Sequence, residues 1–203
     1  DLEENLGSFV PEGDTTFTAV WKKPVESLAL SETSLTLNTG ETGVLKKIIH
    51  PGDATDKRVS WKSGNTKIAT VDAKGNVKAV AKGTATITAT TKDGSRLSAS
   101  CTVTVKQPVT KLTLNKTSLT LMRNKTFALT VTASPSNANN KAVTWKSSNT
   151  KAATVDSKGN VKAVAKGIAS ITATAKDGSG VKAVCKVTVT QPVTKITLNK
   201  TSL

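Results

Sequence analysis

Aromatic residues are nearly missing from this chain, with no Tyr, three Phe and three Trp in 203 residues. That scarcity removes the stacking platforms on which single-strand nucleic-acid readers hold bases, and no basic helix is visible for a major-groove reader. The net charge of +15 is therefore not read as a nucleic-acid signal. Histidine occurs once, as His50 before Pro51, and no Ser, His and Asp constellation surrounds it. A zinc site is equally unsupported, so no catalytic, cofactor-binding or metal residue is assigned and the ligand stays unknown. No apolar run reaches membrane-spanning length, which excludes insertion by this segment. The opening DLEENLGSF lacks both a basic stretch and an apolar core, and the chain is read as a fragment of something longer.

What is present is repetition. Residues 24–107 return as 108–191 at a constant spacing of 84, and 50 of the 84 aligned positions are identical. Trp61 maps onto Trp145, Gly83 onto Gly167 and Pro108 onto Pro192, where PVTKITLNKTSL opens a third copy over 192–203. A period of this kind marks stacked or beaded modules. A catalytic site is usually a single constellation, whereas a spacer or an avidity surface gains from being repeated. Each copy is large enough for one modest core.

The two cysteines, Cys101 and Cys185, occupy the same position in successive copies, so neither copy can close an internal disulfide. Both alternate onto the apolar face of their strands and read as small buried hydrophobes.

Within the second copy the apolar pattern has period two throughout, the mark of half-buried strands. Val109 to Leu114 and Leu119 to Met122 read as a first strand that breaks and resumes. Phe127, Leu129, Val131 and Ala133 share one face of a second strand, and Val143 and Trp145 mark a third. Trp61 and Trp145 are expected on a central strand, filling the middle of their cores. Ala153 to Val164 reads as a hairpin turned by Asp156 and Gly159, and Ile168–Ala175 and Val181–Val189 are the last two strands. About seven short strands per copy, rich in Thr, Val and Ala, predict an all-β fold of tandem two-sheet sandwiches. The lysines, Lys162, Lys182 and Lys186 among them, fall on the solvent face, where they also discourage edge-to-edge pairing.

The motifs Trp-x-Ser-x-Asn, Ala-Thr-Val-Asp, Gly-x-Val and Gly-x-Ala-x-Ile-x-Ala occur in order in both copies. In this the chain resembles the bacterial immunoglobulin-like domain of group 2. The resemblance implies a sandwich fold and an extracellular stalk or adhesin module of a bacterial surface protein, or an accessory domain on a secreted enzyme or phage structural protein. Residues 1–23 lie outside the repeat. Their VPEGDTTFTAVWKK, with Phe17, Ala19 and Trp21 alternating, is similar to the end of a Listeria-Bacteroides repeat and reads as the C-terminal remnant of a preceding β-rich domain plus a linker.

Two local departures carry expectations. Gly43 and Lys47 of the first copy stand where the second has Phe127 and Val131, so Lys47 either snorkels past a sheet edge or is turned out by a bulge. Loop carboxylates Asp53, Asp56, Asp72 and Asp93 are of the type that calcium needs, but the first two become Asn137 and Asn140 in the second copy. Asp156 and Asp177 remain at turn-opening positions, where capping a backbone amide is the expected role.

The positive charge is uneven, with 2 basic and 5 acidic residues in 1–23, 12 and 7 in the first copy, 13 and 2 in the second, and 2 and 0 in the tail. Its field favours anionic partners, a cell-wall polymer, a glycan or a host surface protein. The leading expectation is a monomeric, non-catalytic structural spacer of an extracellular bacterial surface protein. The alternatives are an adhesive or glycan-binding module acting by avidity, for which no exposed aromatic cluster is visible, and an accessory domain of a secreted enzyme.

Overall fold

The structure, a computed structural model, describes residues 22–193 and 195–197. The reading of Phe17, Ala19 and Trp21 as a closing strand falls outside the described residues, as does most of the third copy.

Each copy forms nine short strands. In the first they are β1 (Ser27–Leu30), β2 (Ser34–Asn38), β3 (Thr42–Val44), β4 (Lys47–His50) and β5 (Val59–Ser63). The remaining four are β6 (Ala69–Val71), β7 (Asn76–Ala79), β8 (Gly83–Thr91) and β9 (Ser98–Lys106). The order β2-β9-β8-β5 makes one sheet, with β2 parallel to β9 and the other pairs antiparallel. The order β3-β7-β6 and the pair β1-β4 supply the opposing layer. The second copy repeats this with β10 (Lys111–Leu114), β11 (Ser118–Met122), β12 (Thr126–Ala128), β13 (Val131–Ser134) and β14 (Val143–Ser147). Its last four are β15 (Ala153–Val155), β16 (Asn160–Ala163), β17 (Gly167–Ala175) and β18 (Lys182–Thr190).

The excess over seven strands has a simple origin. The first strand of each copy changes layer part-way, pairing antiparallel with β4 or β13 and then parallel with β9 or β18. The second strand is interrupted at Leu45–Lys46 and at Leu129–Thr130, where Leu45 and Leu129 plunge into the core.

Period-two alternation decides which residues meet between the layers. Ala85, Ile87 and Ala89 of β8 face inward with Cys101, Val103 and Val105 of β9, all nearly without exposure. Ala169, Ile171, Ala173, Cys185, Val187 and Val189 do the same in the second copy. Such small side chains let the sheets approach closely, and the two cores are separate clusters. Both cysteines are buried, and burial pushes their thiols up from the usual range, in keeping with a packing role. Thr91 is the one buried polar residue among those described, and its hydroxyl is satisfied by Ser95 Oγ at 2.7 Å and by the Leu97 N–H.

The tryptophans depart from expectation. Trp61 and Trp145 are only partly buried, because β5 and β14 are edge strands of their four-stranded sheets rather than central ones. The centre is filled instead by Ile87 and Ile171. Each indole packs at the sandwich margin against a turn glycine. A Cβ on Gly75 would stand 2.9 Å from Trp61 Cζ2, and one on Gly159 2.9 Å from Trp145 Cζ2. Both glycines have positive φ, 85° and 89°, as the hairpin turn requires.

Lys47 resolves the other open question. The interruption at residues 45–46 occurs in both copies, so it is not a response to lysine. Lys47 lies opposite Leu30 and keeps the inward phase of Val131, and its ammonium snorkels out to donate to the Lys57 carbonyl.

Candidate functional site

The sequence candidates resolve into structural parts. His50 is exposed at the end of β4, and its carbonyl accepts the Glu26 N–H at 2.8 Å. Ser134, its counterpart, does the same for Thr110 N–H at 2.8 Å, so the backbone rather than the imidazole is what the position uses. Among the described residues no three His, Cys, Asp or Glu side chains gather as metal ligands would.

The loop carboxylates are engaged one by one. Asp53 pairs with Lys23 at 2.9 Å, and Asp56 with Arg58 at 2.7 Å. The Arg58 guanidinium and then its backbone N–H hold Asp56 far below the usual carboxylate range. Asp72 Oδ1 accepts the N–H groups of Lys74 and Asn76 at 2.8 and 2.9 Å, while Oδ2 accepts the Asn76 side-chain amide at 2.6 Å. Asp156 repeats this with Lys158 and Asn160. These are the hairpin turns expected of them.

Asp93 and Asp177 do more than open a turn. Asp93 Oδ1 accepts from Ser95, and Oδ2 accepts the Val25 N–H at 2.7 Å, 68 residues away. The Ser95 hydroxyl and then the Val25 amide hold its carboxyl at about 2. Asp177 is bound in the same way to Ser179 and to the Val109 N–H. Partial burial raises it, but the Ser179 and Val109 bonds outweigh that, and the carboxyl is lowered. Val25 and Val109, directly after Pro24 and Pro108, are 3% and 2% exposed. Each domain's last hairpin thus fastens the strand that enters the same domain.

The residue before the proline is fastened too. The Lys23 N–H donates to Thr55 Oγ1 at 2.8 Å and its carbonyl accepts from Thr55 N–H at 2.9 Å. At the entry to the second copy, Gln107 N–H donates to Asn139 Oδ1 at 2.6 Å and its carbonyl accepts from Asn139 N–H at 2.9 Å. One residue earlier the chain belongs to the other domain, since the Lys106 carbonyl accepts from the N–H and hydroxyl of Thr39 at 2.8 and 3.1 Å. Neighbouring residues are bound to different repeats with no free residue between them. Lys82 adds a contact from the first repeat, donating to the Asn137 carbonyl at 3.2 Å.

A groove of about 370 Å³ lies beside Trp61, bordered by Lys46, Lys47, Arg58, Val59 and Lys74. Its counterpart beside Trp145 holds about 280 Å³ and is lined by Val143, Thr144, Asp156 and Lys176. The partly exposed indoles were missed by reading the sequence, which placed them in the core.

With this geometry in view, the comparison with known proteins is decisive for the family. The family model of the bacterial Ig-like domain, group 2, matches residues 24–103 and 108–187. The chain belongs to that family. It is 38% identical over 169 residues to an uncharacterized protein of Clostridium acetobutylicum, a match spanning 83% of this chain and 18% of the other. Over 74 residues it is 49% identical to part of the lacto-N-biosidase of Bifidobacterium bifidum, covering 36% of this chain and 6% of that enzyme. Domains 4 and 5 of the S-layer protein SbsC align over 82% of this chain and 98% of theirs, at 19% identity and a TM-score of 0.36. The chain therefore spans less than a fifth of the length of either of these two curated relatives.

Proposed function

We propose that these repeats are a non-catalytic spacer of an extracellular bacterial protein, holding another domain away from the envelope. The observation that carries this reading is the junction, where Lys106 is tied to Thr39 of the first repeat and Gln107 to Asn139 of the second. Pro108 restricts the same linker, fixing its own φ and biasing Gln107 toward extended geometry. A connection without slack transmits direction from one domain to the next. The end of the second repeat is prepared in the same way, with the Thr190 carbonyl accepting from Arg123 N–H at 2.9 Å, the counterpart of Lys106 and Thr39. Each repeat then adds roughly 30–40 Å of reach, from nine-residue strands rising ~3.3 Å per residue plus their turns.

Small-angle scattering on the chain tests the reading. An elongated particle with a well-defined maximum dimension supports it, and a folded-back pair contradicts it.

The match of 74 residues to part of a lacto-N-biosidase favours a second reading, that of an accessory domain on a secreted enzyme. A flanking hydrolase domain in the full-length gene product would support that reading, and a wall-sorting signal the first.

A further inference from the structure

The groove beside Trp61 is not shared by the two repeats in its chemistry, although the fold beneath it is. Lys46, Lys47 and Arg58 of the first repeat become Thr130, Val131 and Ala142 in the second, and only Lys74 is kept, as Lys158. This runs against the overall balance, since the second repeat carries 13 basic and 2 acidic residues and the first 12 and 7. Cations are concentrated at this place on the less basic domain.

Their charge is compensated only in part, by Asp56 at Arg58 and by Asp72 near Lys74. Among the described residues Lys46, Lys47 and Lys74 join no ion pair, and Lys47 Nζ donates only to a neutral carbonyl. Arg58 is paired with Asp56, and Asp72, next to the groove, has both carboxylate oxygens committed to its turn. Among the described residues no carboxylate lines the groove, whereas Asp156 lines its counterpart. The Trp61 indole is partly exposed within this ring of cations, and Val59 continues the apolar strip. The volume, about 370 Å³, lies within the ~300–1,000 Å³ of small-ligand clefts.

We infer that this groove binds a short stretch of an anionic polysaccharide, with a sugar ring lying against Trp61 and its carboxylate or sulfate groups held by Lys46, Lys47 and Lys74. An aromatic side chain gives the apolar face of a sugar a surface to cover, and unpaired ammonium groups around it select the charged ring over the neutral one. A compact phosphate or sulfate ion would leave the indole unused. A nucleic acid would find one partly buried aromatic, too few for successive stacked bases. The site is one per chain because the second repeat has Thr130, Val131 and Ala142 in place of Lys46, Lys47 and Arg58. It is independent of the spacer reading, since it lies within a single repeat.

Calorimetric titration of the whole chain with three hexasaccharides tests the assignment, one of galacturonate, one of a sulfated galactan, and neutral maltohexaose. The expected result is saturable binding of an anionic hexasaccharide at one site per chain, weakened by added salt, with no binding of maltohexaose. Binding of only one anionic probe supports the proposal and names the anion. The variant K46T/K47V/R58A, which installs residues that the second repeat already accommodates, should weaken binding by about tenfold or more. Its thermal midpoint should not fall and its scattering profile should stay unchanged, which separates loss of the site from loss of the fold or of the junction. Two equal sites per chain, equal binding of maltohexaose, unchanged affinity of the triple variant, or no binding of either anionic probe would overturn it.

Discussion

Gln107 and Asn139 exchange two hydrogen bonds, the Gln107 N–H donating to Asn139 Oδ1 at 2.6 Å and the Asn139 N–H donating back to the Gln107 carbonyl at 2.9 Å. Lys23 and Thr55 make the same pair 84 residues earlier, with a hydroxyl in place of the amide oxygen. Asn139→Ala removes one of the two bonds and leaves the Gln107 N–H without its partner. The second repeat should lose roughly 0.5–1.5 kcal/mol, read as a lower midpoint in a denaturant melt. Asn139→Thr should restore most of it, because the first repeat already uses Thr there. An Asn139→Ala midpoint equal to the parent's would show that the bond carries no stability.

The tryptophans lead to a different ranking from the one their size suggests. Trp61 and Trp145 are partly buried on edge strands, so truncation to Ala should cost about 1.5–3 kcal/mol rather than the ~3–5 of a fully buried Trp. Gly75→Ala or Gly159→Ala should cost at least as much, about 2 kcal/mol or more. The new methyl meets the Leu45 or Leu129 carbonyl oxygen and the indole, at a backbone φ that disfavours any side chain. Chemical denaturation of the four variants ranks them, and a Trp→Ala cost above that of the neighbouring Gly→Ala contradicts the edge placement.

Acid should loosen the incoming strands. Asp93, held at about 2 from an ordinary 3.8, binds the Val25 amide more strongly as a carboxylate than as a neutral acid. A carboxyl depressed in the folded state contributes stability that is fully present above its unfolded pKa and is lost as pH falls through the folded one. The contribution is therefore complete above pH 3.8 and disappears as pH falls to about 2. Asp177, lowered likewise, follows the same sign. Asp93→Asn and Asp177→Asn should flatten the fall in melting temperature between pH 5 and about pH 2. An unaltered slope in the double variant would assign acid sensitivity to other groups.

The first repeat should be the less stable. Leu35 leans into the room beside Gly43, within 2.9 Å of where a Cβ would stand, at the place Phe127 fills in the second repeat. Lys47 must also lead its charge out of an inward position that Val131 occupies without cost. Separate denaturant melts of residues 24–107 and 108–191 check this, and a higher midpoint for the first repeat contradicts it.

The sequence showed what depends on neighbours in the chain and concealed what depends on distant ones. The strands of the hairpin around Asp156 were legible because the carboxylate, its N–H partners and Gly159 lie within four residues of one another. The cysteines were placed correctly because alternation alone sets the buried face. Trp61 was misplaced because strand position in a sheet follows from the order β2-β9-β8-β5, which no local pattern encodes. The second duty of Asp93 was invisible for a related reason, since its partner is a backbone amide 68 residues away and an amide has no sequence signature. The Trp61 groove needed both the misplaced indole and Lys47, whose ammonium had first to be seen outside the core.

The stiffness of the junction is tested most directly by the spread of distances between spin labels, one on an exposed site of each repeat, measured by pulsed electron resonance. Cys101 and Cys185 are buried, so labels can be directed to introduced surface cysteines. A single narrow distance distribution is predicted, broadening when a Gly-Ser segment is inserted between Lys106 and Gln107. A distribution already broad in the uninterrupted chain, and unchanged by the insertion, would contradict the spacer account.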